Sequence, residues 1–124
     1  MPDHKRLILI VDDEEGVREL LSAGLEPRGF KTVTASDGIE AFDKAVALEP
    51  DLILLDVMMP RMNGWDTLKR LRNEDKTKHI PVVMLTARGE TDALLRSEKE
   101  RVVDYFIKPI DMEELLTFVR RYVC

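Results

Sequence analysis

Five short runs of mostly apolar residues divide the chain, and each is closed by a polar or charged side chain. They are Leu7 to Val11 before Asp12, Phe30 to Ala35 before Ser36, Leu52 to Leu55 before Asp56, Val82 to Leu85 before Thr86, and Val102 to Ile107 before Lys108. Continuous apolar character over four to six residues reads as a strand buried on both faces, the habit of parallel sheets. Leu52-Ile53-Leu54-Leu55 is the most uniform of the runs and ends abruptly on Asp56, so it is taken as the central strand.

The segments between the runs carry helical spacing instead. Val17, Leu20, Leu21, Ala23, Gly24 and Leu25 form one apolar face, ended by Pro27 and Gly29. Ser36 or Asp37 caps a second helix, with Glu40 placed for a capping box on Asp37, and Ala41, Phe42, Ala45, Val46 and Leu48 turned inward up to Glu49-Pro50. After a loop from Val57 to Met62, Asn63 caps a third, with Asp66 three residues on and Trp65, Leu68 and Leu71 on its apolar side. Asn73 to His79 reads as a solvated polar link, and Ile80-Pro81 forces an extended entry into the next strand. A charged helix is expected from about Glu90 to Glu100, with Ala93, Leu94 and Ser97 inward. The last helix, capped by Asp111 with Glu114 at the box position, packs Leu115, Leu116, Val119 and Tyr122.

Strands alternating with helices predict an α/β fold: a doubly wound five-stranded parallel sheet covered on both faces. Right-handed crossovers leave few topologies, and the flavodoxin-like strand order 2-1-3-4-5 is expected. In that order the first and third strands are neighbours at the switch point, where ligands bind outside the carboxyl ends of strands. Asp12, Asp13 and Asp56 then crowd into one pocket, with Thr86 and Lys108 on the same edge. Two like charges ~4 Å apart repel by roughly 4 kcal/mol at a surface-like dielectric, so a cation is the simplest occupant of such a pocket. Oxygen ligands without His or Cys favour a hard ion such as Mg²⁺. Each residue also has a plain structural alternative. Asp56 can start a turn, Asp13 can cap a helix, Thr86 can be an ordinary strand-end residue, Lys108 a surface lysine and Pro109 a helix stop.

Composition narrows the function classes. With 124 residues and 44% hydrophobic content, residues 1–124 are expected to form one compact domain. A net charge of −5 argues against direct nucleic-acid binding. The only cysteine, Cys124, permits no internal disulfide, and the first apolar run is too short for a signal peptide or membrane span, so a cytoplasmic protein is expected.

Val11-Asp12-Asp13, Asp56-Val57-Met58-Met59-Pro60, Leu85-Thr86-Ala87 and Tyr105-Phe106-Ile107-Lys108-Pro109, in this order along the full chain, resemble a bacterial two-component response-regulator receiver domain. The resemblance implies a switch in which Asp56 accepts a phosphoryl group from a histidine kinase or histidine phosphotransfer protein. Asp13, Asp56 and the backbone carbonyl of Met58 would hold Mg²⁺, with Asp12 acting mostly through metal-bound water. Lys108, the Thr86 hydroxyl and the Ala87 amide would contact phosphoryl oxygens. It further implies a cis Lys108-Pro109 bond, a Tyr105 that swings inward or packs statically, and an output surface from about Arg88 to Tyr122. Through that last helix-strand-helix face the protein would dock a downstream partner or form a homodimer; it is expected either to act alone by docking or to be a piece of a longer regulator whose output domain lies outside these residues.

The chain departs from the family pattern at Arg101-Val102, where a Gly-Ala turn is common, at Asn63 in place of Asp, and at Ile110 in place of an aromatic. Met58 and Arg88 flank the pocket where members tune dephosphorylation. Three rival readings are weighed against this one. A dehalogenase-type phosphatase would want a second Asp where Met58 stands. A flavin-binding module would not place the acids Asp12 to Glu15 against a phosphate. A receiver-like interaction domain that works without phosphorylation would not need the complete acid, Thr and Lys set.

Overall fold

The computed structural model describes residues 6–59, 63–87 and 104–123. The helix expected near Glu90 to Glu100, the Arg101-Val102 turn, Val103 and Arg88 lie outside these residues. Strand β1 (Leu7–Val11) leads through α1 (Glu15–Leu25) and a 3₁₀ turn (Glu26–Arg28) to β2 (Lys31–Ala35) and α2 (Gly38–Leu48). Then come β3 (Leu52–Asp56), α3 (Gly64–Arg72), β4 (Val82–Ala87), β5 (Asp104–Lys108) and α4 (Met112–Val123). The five strands form one sheet in the order β2-β1-β3-β4-β5, and every pairing is parallel. The expected order is therefore observed.

Because side chains alternate across a strand, the continuous apolar runs feed two cores. Leu9, Val11, Ile53, Leu55, Val82 and Met84 face α2 and α3, meeting Ala41, Ala45, Trp65, Leu68 and Leu71. Ile8, Ile10, Leu52, Leu54, Val83 and Leu85 face the other way, onto Leu21 and Leu25 of α1 and Leu115, Leu116, Phe118 and Val119 of α4. All four residues of the Leu52 to Leu55 run are buried, which is why none of them is polar.

Local chemistry fixes the helix ends. Asp37 caps α2 by accepting from the Glu40 amide at 2.8 Å, but the Glu40 carboxylate reaches Ser36 rather than Asp37, taking its amide at 2.8 Å and its hydroxyl at 3.0 Å. The reciprocal box is displaced by one residue. Asn63 Oδ1 accepts from the Asp66 amide at 2.9 Å, and Asp111 Oδ1 accepts from the Glu113 and Glu114 amides at 2.9 and 3.2 Å. Gly29 closes the 3₁₀ turn at φ 100°, in the left-handed region that favours glycine.

Four expectations about packing need correction. Leu20, Ala23 and Leu48 have helical spacing, yet all three are exposed, since they sit outside narrower buried stripes. Phe30 is buried but precedes β2. On α4 it is Phe118 that enters the core, while Tyr122 lies outside against its ring, centroid to centroid 4.4 Å. Thr77, in the link expected to be solvated, is fully buried and donates its hydroxyl to the Leu71 carbonyl at 2.7 Å.

Candidate functional site

The carboxyl edge of β1 is held rigidly. The Asp12 amide donates to the Ala35 carbonyl at 3.1 Å, carrying the ladder one residue past the strand. The Asp12 carbonyl accepts from Arg18 Nη1 at 2.7 Å, and its Oδ1 accepts from the Glu14 amide at 2.9 Å. Asp12 is thereby fully buried, with backbone and carboxylate both committed to the turn. Glu14, not Asp13, takes the N-cap position of α1, and Asp13 is exposed.

The neighbouring strand ends one step away. Val11 of β1 pairs with Leu55 of β3, so Asp56 follows directly, and it is only 3% exposed. Its successor is pinned by the Val57 amide donating to the Leu85 carbonyl at 2.9 Å. Asp12, Asp13 and Asp56 each bring a carboxylate oxygen within 4.8 Å of the others. From the far side Lys108 Nζ stands 2.8 Å from Asp12 Oδ2 and 3.4 Å from Asp56 Oδ1. Thr86, buried, lies one residue past Leu85, the partner of Asp56, and pairs with Ile107, while Ala87 pairs with Lys108. Thus Asp12, Asp13, Asp56, Thr86 and Lys108 share one sheet edge. Met58 is exposed beside it, and Lys108–Pro109 is a cis peptide. Tyr105 of β5 is 38% exposed, on the outside of the edge strand.

Electrostatics reflects this crowding. Burial pushes the Asp56 carboxyl up to about 7, with Asp12 and then Asp13 adding to the rise against the opposing pull of Lys108. Burial alone would lower the Lys108 ammonium, but hydrogen bonding to Asp12 and the charges of Asp56 and Asp12 outweigh it and leave it raised. One ammonium does not neutralise three carboxylates. The surplus negative charge and the oxygen-only donor set fit a hard divalent cation at Asp12, Asp13 and Asp56.

The response regulator receiver domain family matches residues 8–120. The chain belongs to this family. Sporulation initiation phosphotransferase F of Bacillus subtilis is 38% identical over 116 residues, covering 94% of this receiver and 92% of that protein. The DNA-binding dual master transcriptional regulator RpaA of Synechocystis is 42% identical over 113 residues, but those cover 91% of this receiver and only 47% of the regulator. The receiver thus spans about half the length of that relative. Among solved structures, the Vibrio cholerae chemotaxis protein CheY4 superposes with a TM-score of 0.87 at 31% identity, covering 96% of this receiver and 99% of that chain.

Three residues of this receiver's edge were not singled out by spacing. Glu14 and Arg18 are outside the candidate set, because reach toward Lys108 or the Asp12 carbonyl leaves no periodic signal. Gly64, whose amide donates to the Val57 carbonyl at 2.8 Å, leaves no periodic signal either.

Proposed function

We propose that this receiver is a phosphoacceptor switch in which Asp56 takes a phosphoryl group from the phosphohistidine of a histidine kinase or histidine phosphotransfer protein. An Asp56 carboxylate oxygen forms the new P–O bond while the P–N bond to the donor imidazole breaks, and the imidazole keeps the electron pair. The observation that supports this most is the Lys108 ammonium, 2.8 Å from Asp12 and 3.4 Å from Asp56, at the rim of a three-carboxylate cluster. It can turn to a phosphoryl oxygen without leaving the pocket, as a point charge on a flexible stem.

Asp13, Asp56 and the Met58 carbonyl would hold Mg²⁺ directly, and Asp12, whose Oδ1 is engaged by the Glu14 amide, would act through water. Such an ion supplies charge to offset the repulsion between a carboxylate and an anionic phosphoryl group. Thr86 would donate its hydroxyl and Ala87 its amide to the phosphoryl oxygens. The added charge would bias a two-state equilibrium through Thr86 and Tyr105 toward a changed surface at β5, α4 and the segment before them.

Residues 1–124 are proposed to form a single receiver domain. It would act alone by docking to a partner, or govern an output domain outside these residues, which span about half the length of RpaA. The test is the intact mass after incubation with acetyl phosphate and Mg²⁺, beside Asp56→Ala and an EDTA control. A gain of ~80 Da, one phosphoryl group, that requires both Asp56 and metal is expected. No gain with any donor, kinases included, would favour an interaction domain that works without phosphorylation.

A further inference from the structure

Glu14 occupies the N-cap of α1 with an extended backbone, φ −95° and ψ 118°, yet its side chain makes no capping hydrogen bond. Ser, Thr, Asp and Asn are favoured at this position because their short side chains fold back onto the first helical amides. Glutamate is a poor choice there, and its carboxylate goes elsewhere. Oε1 lies 3.6 Å from Nζ of Lys108.

The ammonium has three N–H donors, and three carboxylates face it: Asp12 at 2.8 Å, Asp56 at 3.4 Å and Glu14 at 3.6 Å. Asp12 and Asp56 are buried, whereas the Glu14 side chain is 66% exposed and stands at the mouth. Two of the three, Asp12 and Glu14, come from the β1–α1 turn and share a hydrogen bond from the Glu14 amide to Asp12 Oδ1 at 2.9 Å. The turn thus presents a two-carboxylate clasp to the lysine. Glu15, the next acid along, forms no ion pair among those of the described residues.

We propose that Glu14 is a positioning residue for Lys108: its carboxylate draws the ammonium toward the β1–α1 turn in the resting protein and competes for it with an anion arriving at Asp56. The tether is a property of the resting chain. Its competitive consequence rests on the phosphoacceptor reading given above. An exposed ion pair of this kind shifts an equilibrium by only a few fold, so Glu14 adjusts the balance between states and does not decide it.

The experiment uses the whole chain and three variants, Glu14→Gln, Glu14→Asp and Glu15→Gln. In metal-free protein at fixed pH, the Lys108 ¹⁵Nζ–¹H resonance reports the tether. Glu14→Gln should move and broaden it, and Glu15→Gln should leave it in place. Glu14→Asp keeps the charge but is a methylene shorter and suited to cap α1, so it should behave as Glu14→Gln. In a second arm, beryllofluoride with Mg²⁺ serves as the phosphoryl mimic in calorimetric titrations. Glu14→Gln should bind it about two- to fivefold more tightly, and Glu15→Gln should match the wild type. A Lys108 resonance indifferent to Glu14→Gln, or a Glu14→Asp variant indistinguishable from wild type in both arms, would overturn the proposal. If the wild type neither binds beryllofluoride nor accepts phosphate, the phosphoacceptor reading fails while the resonance still decides the tether.

Discussion

A Cβ placed on Gly64 would stand 2.3 Å from the carbonyl oxygen of Asp56 and 2.9 Å from the Cα of Val57. The Gly64 amide donates to the Val57 carbonyl at 2.8 Å, so the first turn of α3 is seated on the backbone that carries the candidate acceptor. Backbone cannot move aside as a flexible side chain can. Gly64→Ala should therefore destabilise the protein by about 1–3 kcal/mol, against the gain that alanine normally brings to a helix. Urea unfolding measures this, and a rise in the midpoint would show that α3 can lift off the Asp56 backbone at no cost.

Asp56 gives the protein an unusual pH dependence. Its folded-state carboxyl is pushed up to about 7 from an ordinary 3.8, chiefly by burial. The stability of the neutral acid is fully present below pH 3.8 and is lost as the pH rises through about 7. Asp56→Asn should be more stable than wild type at pH 8 in chelator, by about 2–4 kcal/mol. The advantage should vanish near pH 4 and shrink at pH 8 when Mg²⁺ is added. Denaturant curves at three pH values check both.

Lys108 is the counter-charge to a fully buried Asp12. Removing it by Lys108→Ala strands that carboxylate and should cost about 3 kcal/mol. Adding Asp12→Asn to the same chain should recover a large part of the loss. A double-mutant cycle in urea reads the coupling directly, and additive losses would mean the 2.8 Å pair contributes nothing net.

Glu40 answers to acid in the opposite sense. The Lys44 hydrogen bond, followed by the Ser36 amide, holds its carboxyl down at about 2 against an ordinary 4.5. Its stabilisation is present above pH 4.5 and disappears as the pH falls toward about 2. Because the carboxylate is partly exposed, solvent screening leaves about 1 kcal/mol or less. Glu40→Gln should be less stable than wild type at pH 7 by that amount and equal to it near pH 2, as measured by thermal unfolding.

What could be read along the chain was what repeats or punctuates. Unbroken apolar runs announced β1, β3 and β4, and the polar residues closing them, together with Lys108 at the close of the mixed run of β5, marked the edge where Asp12, Asp56, Thr86 and Lys108 gather. Periodicity gives the direction of a helix face but not its width, so Leu20 and Leu48 looked buried and are not. Composition hid Thr77, whose hydroxyl enters the core because the Leu71 carbonyl at the end of α3 receives it. Contacts made by long side chains were invisible for a different reason. Arg18 and Glu14 act at distances their own flexibility allows, and neither Arg18's bond to the Asp12 carbonyl nor Glu14's approach to Lys108 constrains the spacing of anything else.

The candidate site draws two groups from the end of β1 and one each from β3, β4 and β5, with Asp12 and Lys108 far apart along the chain. During synthesis Asp12 leaves the ribosome long before Lys108 and waits for its counter-ion until β5 has emerged. A fragment lacking β5 lacks the ammonium that partly offsets the pocket's carboxylates. A nascent chain therefore carries these carboxylates without their counter-charge, and the electrostatic balance of the pocket arrives together with the completed sheet.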